Sequence, residues 1–262
     1  MNESGIVFLM YHELEVPARP TVQSSPGYVR YVLRASEFGD QMTWLSRHGW
    51  RGMSVSEALI FPKLNGVAVT FDDGCETDLL VAAPILKEMS FGGTFYITSG
   101  FLGRPGHLSG GQLRELAQLG FEIGCHSMTH AYLTGLDSAG LHREIFDAKS
   151  ELERILGQPV VHFSCPGGRY NRRCLEVAQK AGYHTVATSR IRANTKSTSL
   201  LELGRVAILR EAGSEVFWAI CRGRRLWHLS TRDSLRGAAR RVLGNTAYDR
   251  LREAWLGRTT KD

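Results

Sequence analysis

A parallel α/β barrel, complete or distorted, is the fold this sequence predicts, and three observations predict it. Short apolar runs recur along the chain at intervals that leave room for one helix between neighbours, the pattern of parallel strands joined by crossover helices. About seven such units fit into the chain, a number that suits a barrel better than an open sheet; its 262 residues lie near the upper limit for one hydrophobic core. Several of the runs also stop at reactive or turn-forming residues, as barrel strands do at their C-terminal ends.

Taken in order, Gly5–His12 (GIVFLMYH) is a buried strand. The stretch holding Pro17, Pro20, Pro26 and Gly27 is a surface loop. Ser36 is the expected N-cap of a helix running to about His48, with Phe38, Met42 and Leu45 on one face. Gly66–Asp73 (GVAVTFDD) is a second buried strand, ended by Gly74. Helices are then expected near Thr77–Met89, Ser109–Leu119, Ser138–Leu156 and Asn171–Ala181. Between and after them, strands are expected at Gly93–Thr98, Phe121–His126, Val160–Cys165 and His184–Thr188, with Leu203–Leu209 as a last strand.

Composition narrows the class. Hydrophobic residues make up 43% of the chain, enough for a sizeable core, which excludes wholesale disorder. No run approaches the ~18 apolar residues of a transmembrane helix. Met1–Ser4 offers no basic region ahead of its apolar run, so no secretory signal is expected. The cysteines (Cys75, Cys125, Cys165, Cys174, Cys221) are odd in number and form no Cys-x-x-Cys pair, which fits a reducing compartment and a cytoplasmic location. Of the net charge of +6, residues 220–262 supply +7 (11 Lys and Arg against 4 Asp and Glu). Residues 1–219 carry −1, so the chain is a near-neutral body with a basic end.

The chemistry-bearing residues gather at strand ends: Tyr11 and His12, Asp72 and Asp73, His126, and Cys165 with Pro166. Adjacent carboxylates at a strand end point in different directions. One of Asp72 and Asp73 can therefore ligate a metal while the other addresses a water beside it. His126 and His130 stand at i and i+4, a spacing that places both imidazoles on one face of a helical turn. Two histidines with one Asp make a three-ligand set that leaves a position for water. Such a set does not discriminate strongly among divalent transition metals; zinc is expected from availability, with Co, Ni and Fe as alternatives.

Thr70-Phe71-Asp72-Asp73-Gly74, followed some 50 residues later by His126-Ser127-Met128-Thr129-His130, resembles the NodB-homology polysaccharide deacetylases. Val160–Tyr170 (VVHFSCPGGRY) is similar to that family's third motif, and Gly5–His12 to the Tyr-His strand near the N-terminus of many members. The resemblance covers about residues 5–210 and implies a distorted (β/α) barrel holding one divalent metal. It implies that Asp73, His126 and His130 are the metal ligands and Asp72 the general base. Pro166 and Gly167 fall where the family's loop offers a backbone N–H to the oxyanion, with Arg169 beside them. His12 matches the general acid of members that carry it at the N-terminus. The implied reaction is removal of an N-acetyl or other N-acyl group from an amino sugar in a polysaccharide or lipid-linked glycan.

Two positions depart from the family pattern. Ser164 stands where many members carry an Arg that tunes the catalytic Asp; Arg169 or Arg205 is the candidate replacement. The family's late acid motif is missing, and His228 is the only late alternative to His12, which is favoured because it ends a buried strand. Cys125 and Cys165 flank the motifs and are expected to be buried fillers.

Residues 1–215 are thus expected to form the barrel and residues 216–262 a basic helical extension. Thr231–Leu243 and Thr246–Leu256 have helical periodicity; with the arginines between 222 and 258, and with Trp227 and Trp255, they suggest an anionic membrane surface as a partner, at the inner face. No nucleic-acid motif is present. Two alternatives stay open: hydrolysis of a C–N bond in another small N-acyl substrate, and a catalytically silent glycan-binding barrel.

Overall fold

The computed structural model describes residues 5–60, 65–210, 212–224 and 226–231. Eight strands form one parallel curled sheet: β1 (Val7–Tyr11), β2 (Arg51–Met53), β3 (Gly66–Asp73), β4 (Thr94–Ile97), β5 (Glu122–Cys125), β6 (His162–Ser164), β7 (Thr185–Ala187) and β8 (Val206–Ala207). Their order is β8-β1-β3-β4-β5-β6-β7. The long strand β3 pairs with β1 along one edge; along the other it pairs first with β2 and then with β4. Leu203 bridges to Ala187 in β7, and Val206 pairs with Leu9 in β1, so residues 203–207 touch both sides of the curled sheet. This is the distorted (β/α) barrel expected from the strand–helix alternation.

The crossover helices follow the apolar periodicity. They are α1 (Ala35–Arg47), α2 (Val55–Ile60), α3 (Ala83–Glu88), α4 (Gly110–Gln118), α5 (Ser138–His142), α6 (Ala148–Leu156), α7 (Arg172–Lys180) and α8 (Ser214–Cys221). Phe38, Met42 and Leu45 of α1 are buried as predicted. Helix α4 opens on a capping box in which Ser109 and Gln112 each satisfy the other's backbone N–H. Asn171 caps α7 through the Cys174 N–H.

Alternation along the strands divides the apolar residues into two clusters. Tyr11, Phe71 and Phe95, on three neighbouring strands, stack with centroids 5.3 and 5.0 Å apart and join the main core with the helices. Phe8, Ala68, Tyr96, Ala187 and Leu203 belong to a second cluster. Asp72 has the strand parity of Ala68 and Thr70, which places it on the face of that second cluster.

Several boundaries differ from expectation. Ser36 is not the N-cap of α1: Leu33–Arg34 pairs with Leu14–Glu15 as a small ladder, and the chain enters the helix directly at Ala35. One helical turn, Pro26–Val29, lies within the expected loop. The short elements β2 and α2 escape periodicity because neither is long enough to show it. Only Val206–Ala207 of the expected 203–209 strand is paired as one. The expected helices at 77–89 and 138–156 are present, but each contains a wide π-turn, Asp78–Ala82 and Arg143–Asp147. Among the described residues no helix is long and apolar enough to cross a membrane. Phe217, Ile220 and Cys221 of α8 are buried in the main core. Apart from Thr231, the two later helical segments lie outside the described residues.

Candidate active site

The predicted site residues come together at the C-terminal ends of β1, β3, β5 and β6. Asp73 ends β3 with φ +81°, a left-handed conformation that costs a non-glycine residue roughly 1–2 kcal/mol. There its Oδ1 lies 3.6 Å from His126 Nε2 and 3.5 Å from His130 Nε2. One ligand atom from each of Asp73, His126 and His130 falls within 4.8 Å of the others. Asp73 Oδ1 is buried and has no hydrogen-bond partner. A buried carboxylate oxygen facing two imidazole nitrogens fits a divalent cation.

His126 is prepared as a ligand by its surroundings. Its Nδ1–H donates to the Ser164 carbonyl at 2.9 Å, which leaves the Nε2 lone pair facing the carboxylates. Burial pushes its pKa down to about 4, against the pull of Asp72, so the ring is neutral at physiological pH.

The two histidines do not share a helical turn, as their spacing suggested. Residues 126–130 form a loop in which Ser127 and His130 both have positive φ (+68° and +63°). The His130 N–H donates to Ser127 Oγ at 3.0 Å. The N–H groups of Ser99 and Gly100 donate to the carbonyls of Ser127 and Met128. Gly100 is required there, since a Cβ would stand 2.5 Å from the Met128 carbonyl oxygen.

Glu144, which sequence reading missed, clamps the same loop from the π-turn beyond α5. Its carboxylate, fully buried, accepts from the N–H groups of Met128 (3.1 Å) and Thr129 (2.8 Å) and from Thr129 Oγ1–H (2.7 Å). In the sequence it looks like any polar residue of an amphipathic helix; the wide turn that sets it apart is visible only in the structure.

Arg205, not Arg169, replaces the guanidinium missing at Ser164. It is fully buried and forks onto Asp72, Nη1 to Oδ1 at 2.7 Å and Nη2 to Oδ2 at 2.8 Å. Nη2 also donates to Ser164 Oγ at 2.7 Å, so the serine makes room for an arginine arriving from just before the last strand. Burial alone would raise the Asp72 pKa, but the Arg205 guanidinium overcomes it and holds the carboxyl well below the usual carboxylate range. His126 Nε2 lies 3.6 Å from Asp72 Oδ2, so the ionised, arginine-paired Asp72 stands directly beside the ligand set.

His12, which directly follows β1, also stands at the site. Its ring packs 5.0 Å from that of Tyr31, and its Nδ1 is buried without a hydrogen-bond partner. His228 instead stacks on Trp227, exposed in the helical turn after α8. Pro166–Gly168 forms a tight turn in which the N–H groups of Gly168 and Arg169 bond to the Cys165 and Pro166 carbonyls. Gly167 has φ +60°, and a Cβ there would lie 2.9 Å from the Tyr132 ring. The Arg169 guanidinium lies over that ring, 3.6 Å from its centroid. Cys125 and Cys165 are buried free thiols; burial pushes Cys125 up to about 12, so neither offers a thiolate.

Fold and donors together define a class: a parallel α/β barrel with an Asp/His/His ligand set and a second, arginine-paired Asp at its strand ends. The model of the polysaccharide deacetylase family matches residues 62–186 of the chain. It is 29% identical over 217 residues to YxkH of Bacillus subtilis strain 168, provisionally named a polysaccharide deacetylase, covering 80% of this chain and 74% of that one. It is 32% identical over 124 residues to the peptidoglycan-N-acetylglucosamine deacetylase of Bacillus cereus, covering 47% and 56% of the two chains. The Streptococcus pyogenes deacetylase PplD, solved in complex with acetate, superposes with a TM-score of 0.73 at 25% identity, covering 84% of this chain and 99% of that chain.

Proposed function

We propose that this chain hydrolyses the N-acetyl group of an amino sugar in a glycan, releasing acetate and a free amine. The observation that carries the reading is the pairing of an Asp73/His126/His130 ligand set with an ionised Asp72 held by Arg205. A divalent cation held by the three ligands, zinc by availability with Co, Ni and Fe as alternatives, supplies Lewis-acid polarisation of the acyl carbonyl and a water of lowered pKa.

The chain's own residues then divide the work. Asp72 accepts the proton of the attacking water. The Gly167 N–H, whose neighbours Gly168 and Arg169 spend their own N–H groups inside the turn, donates to the developing oxyanion. His12 delivers a proton to the leaving nitrogen, which is a poor leaving group until protonated. Chelation is expected to abolish acetate release from N-acetylated glycans, and Asp72→Asn and His126→Ala to do the same. Full activity after thorough metal stripping refutes the reading.

The basic segment at residues 222–258 supports a place of action at the cytoplasmic face of a membrane, on a lipid-linked or membrane-proximal glycan.

A further inference from the structure

The Asp72–Arg205 pair rests on an aromatic ring. Tyr96 on β4 is the register partner of Asp72 on β3 and of Gly124 on β5, so the three residues form a row across neighbouring strands on one face of the sheet. Tyr96 is wholly buried in the second apolar cluster, and the Arg205 guanidinium lies over its ring with Cζ 5.2 Å from the centroid. In its own plane the guanidinium spends all five N–H groups. Nε donates to the Thr188 carbonyl at 3.3 Å, Nη1 to Thr70 Oγ1 at 3.2 Å and to Asp72 Oδ1, and Nη2 to Asp72 Oδ2 and Ser164 Oγ. Those bonds resist sliding within the plane and do little against tilting out of it; the ring opposes the tilt from one side. Space for the ring comes from Gly124, a glycine inside a strand, where a Cβ would stand 2.4 Å from Tyr96 Cδ1. The Tyr96 hydroxyl is buried with no hydrogen-bond partner among the described residues, so the ring face is the part that the pair uses.

We infer that Tyr96 is a positioning residue for the hydrolysis: its ring keeps the Arg205 fork seated on the Asp72 carboxylate and, through it, holds the base in a fixed orientation toward the attacking water. The inference rests on the deacetylase reading and adds to that site a residue that acts through Arg205.

The test compares three variants of the metal-loaded protein on N-acetylglucosamine oligomers. Tyr96→Phe keeps the ring face and strands no polar group, and is expected to stay within about twofold of the parent. Tyr96→Met fills the space without a ring, and is expected to lose roughly tenfold or more in kcat with KM within about twofold. Met53→Ala opens a cavity in the same cluster, beside Ala68 and four residues along β3 from Asp72, and is expected to leave kcat within about twofold. Equal kcat losses in Tyr96→Met and Met53→Ala, or in Tyr96→Met and Tyr96→Phe, overturn the inference. Should Tyr96→Met not fold, Tyr96→Leu gives the same comparison. A second readout does not depend on turnover: NMR of protein whose arginines are labelled at nitrogen. The Arg205 Nη protons are expected to be resolved and slow to exchange with solvent in the parent and in Tyr96→Phe, and averaged or exchanging about tenfold faster in Tyr96→Met. Unchanged guanidinium motion in Tyr96→Met overturns the inference. If the parent hydrolyses no oligomer, the deacetylase reading fails by itself, and the NMR comparison still decides what the ring does.

Discussion

Arg205 and Asp72 lie 133 residues apart in sequence yet meet through both guanidinium nitrogens, away from solvent. Removing one partner of such a pair strands a buried charge and costs about 3–5 kcal/mol. In Arg205→Met, burial is left to favour the neutral acid, so the acid limb of the kcat/KM profile is expected to move up by about one pH unit or more. Arg205→Lys keeps a charge but loses the fork, and an intermediate profile is expected. An unmoved profile in Arg205→Met would show that Asp72 is not the titrating base. Single residues were legible in the sequence where their type announces chemistry at a strand end: His12, Asp72, Asp73, His126 and His130. Arg205 was readable only as one of two candidates, because nothing local says which arginine crosses the barrel.

Among the elements, the wide turn Arg143–Asp147 matters most, since it turns Glu144 onto the histidine loop. Glu144→Gln sets an amide NH2 against donors that need an acceptor, a loss of about 1–3 kcal/mol. The expected consequence is a fall of roughly 10–100-fold in metal affinity, measured by equilibrium dialysis. Unchanged affinity would reduce Glu144 to a purely structural tie. At the opposite end of the sheet, Glu122, the first residue of β5, accepts from Thr94 Oγ1–H at 2.6 Å and sits 3.1 Å from His162 Nε2. Burial opposes its ionisation, but hydrogen bonds from His162, Ser56 and Thr94 prevail and lower its pKa. A depressed carboxyl stabilises the fold above its unfolded pKa of about 4.3 and loses that contribution as pH falls through the folded value. Glu122→Gln should therefore lower the Tm near pH 7 and converge on the parent below about pH 4. A constant difference across pH would rule out the charge as the cause.

The strands and major helices were legible because burial imposes a period on them. The loop at residues 126–130 was not: i,i+4 spacing reads as a helix, and no glycine marks the left-handed backbone at Ser127 and His130.

For the molecule as a whole, charge separates place from chemistry. The body is near neutral and the basic excess lies beyond α8, so the net charge says little about catalysis. Trp227 is 64% exposed beside Arg222 and Arg224, at the entrance to the more basic residues that follow. Deleting residues 232–262 is expected to abolish sedimentation with anionic vesicles while kcat/KM on a soluble substrate stays within about twofold. Equal sedimentation of the two proteins would end the membrane reading. The overall barrel was predictable from alternation alone, whereas the contacts of residues 203–207 with both β1 and β7 were not, because sheet curvature is a tertiary property.

Those last contacts have a consequence for biosynthesis. A growing chain has made every ligand and the base long before Arg205 leaves the ribosome, and until then the two-pronged guanidinium pairing of Asp72 cannot form. The finished barrel alone can bury that carboxylate as an anion. Closure of the barrel by residues 203–207 is thus coupled to the pairing of Asp72, and a chain cut short of Arg205 holds the motifs without the guanidinium beside them.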